Sequence, residues 1–183
     1  MAEYYLISQL PSLDGLGENA APPISEERFM ELCGRLLGKK AQKELSMLTL
    51  LPPKTPEKTD SALINAWNEG ERNLRLALGK ARAEKMKKSF DTENESFPIE
   101  LIRAVNAAAG MENPLEAERM LLRWRLDFLE TLRPTDSFST DFIYYYGLKL
   151  KLILRIEKFD AELGEAAYRD IYGSILNGDK LEA

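Results

Sequence analysis

The chain has 183 residues, with 25 Lys plus Arg against 30 Asp plus Glu, a net charge of −5, no histidine and one cysteine, Cys33. Without histidine there is no imidazole base, no histidine metal ligand and no Ser-His or Cys-His nucleophile pair. One cysteine leaves no intrachain disulfide and no Cys-rich zinc site, and the acidic balance argues against bulk nucleic-acid binding.

The 29 Leu and 18 Ala stand against 10 Ile and one Val, Val105. Leu and Ala favour helix, whereas Val and Ile favour strand, so the fold class predicted is all-α. About seven helices are expected, in a helical bundle or two small lobes. Residues 1–183 are read as one helical domain, with sub-lobes 1–51 and 98–183 bridged by a long helix over 60–88.

In chain order, Tyr4-Tyr5-Leu6-Ile7 within 3–10 is an apolar-aromatic run ended by Pro11, and it suggests a short extended segment. It lacks the basic start and long apolar stretch of a signal peptide. Residues 11–24 carry Pro11, Gly15, Gly17, Pro22 and Pro23 and read as a loop. Ser25 suits the N-cap of a first helix, whose stripe is Phe29, Leu32, Cys33, Leu36 and Leu37. A short helix over 41–51 ends at Pro52-Pro53, and 52–59 is a Pro-rich linker.

Asp60 or Ser61 caps the long helix, with the stripe Leu63, Trp67, Gly70, Leu74, Leu78 and Ala81. Residues 89–97 form a polar, acidic break. Pro98 opens a helix that Gly110 closes, and Asn113-Pro114-Leu115-Glu116 is a capping pattern for the next, to Leu132. Ser139 or Thr140 caps the most apolar helix, Asp141 to about Leu163, and a last helix covers 165–176. Within 142–156, Lys149, Lys151 and Arg155 interrupt the apolar run, so no membrane span is expected.

Motifs of catalysis are weak. Gly34 to Lys40 resembles a phosphate loop with one residue too few between the glycines and Lys40 in place of the hydroxyl. Asp91, Glu93 and Glu95 alternate like a calcium loop, but Ser96 replaces its glycine and Ile102 its last acid. Glu26-Glu27 fit a helix N-terminus. Glu69 and Glu71 flank Gly70 on what reads as a mixed-charge face. No catalytic residue, cofactor or metal site is expected.

Two features point to binding. Segment 71–88 has a net charge of +5, with Arg72, Arg75 and Arg82 at its centre, and suits an acidic partner. Tyr144-Tyr145-Tyr146, near Phe138 and Phe142, span about 200° of helical arc, so at least one ring is expected at a surface. These six residues are the candidate partner interface.

The stretch Tyr4-Tyr5-Leu6-Ile7-Ser8-Gln9-Leu10-Pro11-Ser12-Leu13 resembles the start of an uncharacterised bacterial family encoded among V-type ATPase genes. Trp67, Glu71, Arg72, Asn73, Leu74 and Arg75 are similar to the Asn-Leu-Arg/Lys helices of the C (or d) subunit of V- and A-type rotary ATPases. Leu152 to Gly164, with Arg155, Phe159 and Asp160, then Tyr168 and Ile171, look like a helix pair of that subunit. The C subunit is longer, a helical funnel of three lobes between the membrane rotor and the central stalk. The resemblance implies a cytoplasmic, non-catalytic accessory or coupling protein, peripheral at the inner face of the membrane through its complex. Its partners would be other ATPase subunits. A helical adaptor with an unrelated partner and a carboxylate-dependent bundle enzyme remain as alternatives, and a nucleic-acid binder comes last.

Overall fold

The computed structural model describes residues 2–15, 21–90, 96–157, 169 and 171–173. Seven helices are bounded among the described residues: α1 (Ala2–Gln9), α2 (Glu26–Leu36), α3 (Lys39–Ser46), α4 (Ala62–Lys85), α5 (Ile99–Gly110), α6 (Pro114–Thr131) and α7 (Thr140–Glu157). The described residues contain no strand, so the fold is all-α. No helix among them is long and apolar enough to cross a membrane. The expected helix over 165–176 lies outside the described residues, apart from 169 and 171–173, which are helical. The calcium-like triad and the end of the helix expected to reach Leu163 also lie outside them.

The local signals for helix starts are met by hydrogen bonds. Ser25 Oγ accepts from Arg28 N at 3.2 Å, Ser61 Oγ from Ile64 N at 3.2 Å, and Asn113 Oδ1 from Leu115 N at 3.0 Å. Each satisfies an amide that has no partner within its own helix. Ser139 Oγ accepts from Phe142 N at 3.2 Å at the start of α7. Helix α4 stops at Lys85, short of the expected Lys88. Lys87 takes a left-handed φ of 53°, and Lys88 N donates back to Ala83 O at 2.9 Å, a helix-ending turn usually built on glycine.

The N-terminal segment is helical, which corrects the expectation of an extended run. Leu6 is buried, with Ile7 and Leu10 half-buried beside it, while Tyr4, Tyr5, Ser8 and Gln9 face out. Positions 6, 7 and 10 share one helical face, a spacing that an apolar run conceals. Pro11 then ends the pattern.

Helix α7 organises the rest. Helices α1, α2, α3, α4 and α6 all pack on it, and residues 143–150 are buried without a break. A helix enclosed by neighbours can be apolar all round. One apolar cluster joins α7 to α1–α3, to Leu63, Ile64 and Trp67 of α4 and to Leu122 and Leu129 of α6. A second, smaller cluster joins Leu74 and Ala77 of α4 to Leu101, Val105 and Ala108 of α5 and Leu121 of α6. The two clusters therefore meet within α4 and α6, each of which contributes to both.

Candidate partner-binding site

The three tyrosines do not form a surface, contrary to the expectation that at least one ring would. Tyr144, Tyr145 and Tyr146 are 1%, 2% and 5% exposed. Their 200° of arc is real, but α7 meets a neighbour on every side of it. Tyr144 Oη donates to Glu44 Oε2 of α3 at 2.8 Å, Tyr145 Oη to Glu130 Oε1 of α6 at 2.6 Å, and Tyr146 Oη to Pro11 O at 2.9 Å. Burial pushes the Tyr145 and Tyr146 hydroxyls up to about 12, and the Cys33 thiol likewise to about 12. Among the described residues, the exposed aromatic rings include Tyr4, Tyr5, Phe90, Phe138 and Tyr172, with Tyr4 and Phe138 stacked at 4.8 Å.

The arginines lie together as expected from their spacing. Arg72, Arg75 and Arg82 fall within about 80° of one another around α4. Arg82 is exposed and Arg72 and Arg75 are half-buried, with Arg75 Nε donating to Glu71 O at 3.3 Å.

A recess lies on the other side of α4. It is an open groove of about 600 Å³ between α4, the start of α5 and α6. Ala66 and Gly70 of α4, Pro98 and Leu101 at α5, and Trp124, Phe128 and Leu132 of α6 supply its apolar surface. Glu69, Glu100 and Asp127 stand exposed on its rim, with Asn73 and Thr131. No basic residue lines it among the described residues.

The groove depends on one close approach. Trp124 and Phe128 stack with centroids 5.4 Å apart and planes 3° from parallel, and Phe128 reaches Trp67 at 6.3 Å. A Cβ on Gly70 would lie 2.2 Å from Phe128 Cε1, well inside contact distance. Glycine in mid-helix is unfavourable by about 1 kcal/mol, so its presence here has a packing reason. Gly70→Ala should displace the Phe128 ring into the groove and destabilise the protein by about 1–3 kcal/mol. Urea unfolding measures the loss, and altered Trp124 emission in the native state reports the ring shift.

Beneath that wall, Glu71 is buried, which corrects its assignment to a mixed-charge face. Arg125 Nε donates to Glu71 Oε1 at 2.7 Å and Nη2 to Oε2 at 3.4 Å. Glu118 Oε1 lies 3.8 Å from Arg125 Nη1 and 2.9 Å from Arg155 Nη2. Arg125 Nη1 is itself buried without a hydrogen-bond partner. Burial raises the Glu71 carboxyl above its ordinary value against the pull of Arg125. Glu71 is the one buried carboxylate among the described residues, and it is held by this guanidinium. The acids at the groove itself are exposed, whereas paired-acid catalysis uses burial to separate two carboxyls.

A second polar hub ties α7 to the loop after α1. Lys149 Nζ donates to Asp14 Oδ1 and Glu130 Oε1, both at 2.7 Å, and lies 3.3 Å from Tyr145 Oη. The Lys149 bond holds Asp14 below its ordinary 3.8. Burial pushes Glu130 up, but bonds from Lys149 and Tyr145 outweigh it and leave it below 4.5. Groups lowered in the folded state stabilise it above their ordinary values, and that contribution fades as pH falls through the lowered ones. Wild-type stability should therefore drop below pH 4.5 more steeply than that of Lys149→Met. Glu71 acts with the opposite sign in both proteins, so the difference in urea midpoints isolates the hub.

No family model, curated protein or solved structure matches this chain. No cluster of three or more metal-ligating side chains occurs among the described residues. The groove was missed from the sequence, where Gly70, facing a bulky residue across two helices, was a local sign of it.

Proposed function

We propose that the protein is a non-catalytic accessory or coupling component of a V-type rotary ATPase. It would be cytoplasmic, held near the membrane by its complex, and would work through helical interfaces. The observation that carries the binding role is the groove: an apolar recess with two stacked rings in its wall and exposed, unneutralised carboxylates around it. A mostly apolar recess of this volume with a few polar groups at its rim falls in the range of binding sites. The likeness of the 4–13 segment and of the α4 pattern to ATPase-linked proteins supplies the partner. The arginine flank lies roughly opposite the groove around α4, so one helix can offer two differently charged faces.

Co-purification of the intact protein with the separate ATPase subunits tests this. Retention of at least one subunit through washes at physiological salt is expected. Failure of every subunit to bind would remove the ATPase assignment and favour an adaptor with an unrelated partner.

A further inference from the structure

We infer that the groove receives an amphipathic helix from a partner, with an apolar face inward and Lys or Arg along its edges. This rests on the binding role proposed above but names the chemistry of the occupant. Three observations lead to it.

The first is shape. The recess follows α4 from Ala66 to Asn73 and α6 from Trp124 to Leu132. At 1.5 Å per residue these walls run about 10–12 Å, the length of two helical turns. Side chains at i, i+4 and i+7 of a docked helix span that length. The recess is partly open rather than an enclosed cavity, which suits a segment of chain laid across it, whereas small-molecule sites bury most of their ligand.

The second is charge. Glu69, Glu100 and Asp127 come from three different helices yet converge on one rim. Among the described residues, none of these three side chains has an ion-pair or hydrogen-bond partner. Elsewhere acids are commonly engaged: Glu26 meets Lys151, Asp60 meets Lys40, and Glu118 meets Arg155. A ring of unengaged carboxylates around an apolar trough is complementary to cations flanking an apolar stripe.

The third is the wall itself. Trp124 and Phe128 are only half-buried although both are large rings, and they present stacked edges and faces to the trough. Rings of this kind serve as anchors for apolar side chains and as acceptors for nearby cations.

The probe is a labelled Leu/Lys peptide of about 14 residues, four helical turns, spaced to give one apolar face. Its anisotropy is followed against the full-length protein, together with Trp124 emission. Three comparisons accompany it: a scrambled Leu/Lys peptide of equal charge, the double variant Glu69→Lys with Asp127→Lys, and Glu57→Lys with Glu112→Lys. The last pair is exposed, away from the groove, and changes the net charge equally. Binding by the ordered peptide is expected, with an emission shift. The groove variant should weaken it more than about tenfold, the distant variant less than about twofold. Equal losses in both variants, or equal binding by the scrambled peptide, would reduce the effect to bulk charge and overturn the inference. Sedimentation showing a dimer that the groove variant dissociates would overturn it in favour of a second copy of this chain. Peptide binding without any ATPase subunit bound leaves this inference standing and removes the ATPase assignment. The reverse result separates them the other way.

Discussion

Arg125→Met is expected to destabilise the protein by about 3–5 kcal/mol, because it strands the Glu71 carboxylate in the interior without its partner. Glu71 is 1% exposed, and the two charges lie 2.7 Å apart. Glu71→Met should be comparably damaging, since it leaves the buried guanidinium with only the more distant Glu118 at 3.8 Å. The double variant Glu71→Met with Arg125→Met should recover most of the loss, because a well-packed apolar pair of similar volume carries no desolvation cost. Urea unfolding of all four proteins gives the coupling directly. Additive losses would show that the pair is not a unit. The Arg125→Met deficit should also shrink with acid. A lone buried Glu71 takes up a proton more readily when folded than when unfolded, so the folded variant gains stability as pH falls toward the ordinary 4.5.

Trp67→Ala should cost about 3–5 kcal/mol, the range for deleting a large buried aromatic side chain. Trp67 is fully buried, and its Nε1 donates to Thr49 O at 3.0 Å, which fastens the segment after α3 to α4. It also stands behind Phe128. Trp67→Phe should cost less, retaining ring contacts while leaving Thr49 O without that donor. Thermal unfolding by circular dichroism checks both, and a loss below about 1 kcal/mol for Trp67→Ala would mean the site can collapse onto the vacancy.

How much of this could be read in the sequence depends on the range of the interaction. The Ser25, Ser61 and Asn113 caps are legible because donor and acceptor lie two or three residues apart. So is the helical fold class, since the Leu and Ala excess acts through local propensity. The tyrosine triplet misled because arc alone says which directions the rings point, not what stands there. With neighbours all round α7, every direction is interior. Glu71 and Arg125 are 54 residues apart, and nothing local marks them as partners. The groove is still less visible, since its walls come from three helices and Gly70 in the α4 stripe is the mark that a neighbouring ring approaches closely. The α1 segment misled for a smaller reason, as a short run of apolar residues does not distinguish strand from helix.

The most direct test of the central claim places a photoreactive benzophenone at Thr131, on the groove rim, and at Arg35, exposed on α2 away from it. Each labelled protein is irradiated with the assembled V-type ATPase. A binding role for the groove predicts a crosslink from position 131 to one defined subunit, lost in the Glu69→Lys, Asp127→Lys background, and none from position 35. Crosslinks of equal yield from both positions, or none from 131 while the protein remains bound to the complex, would contradict it.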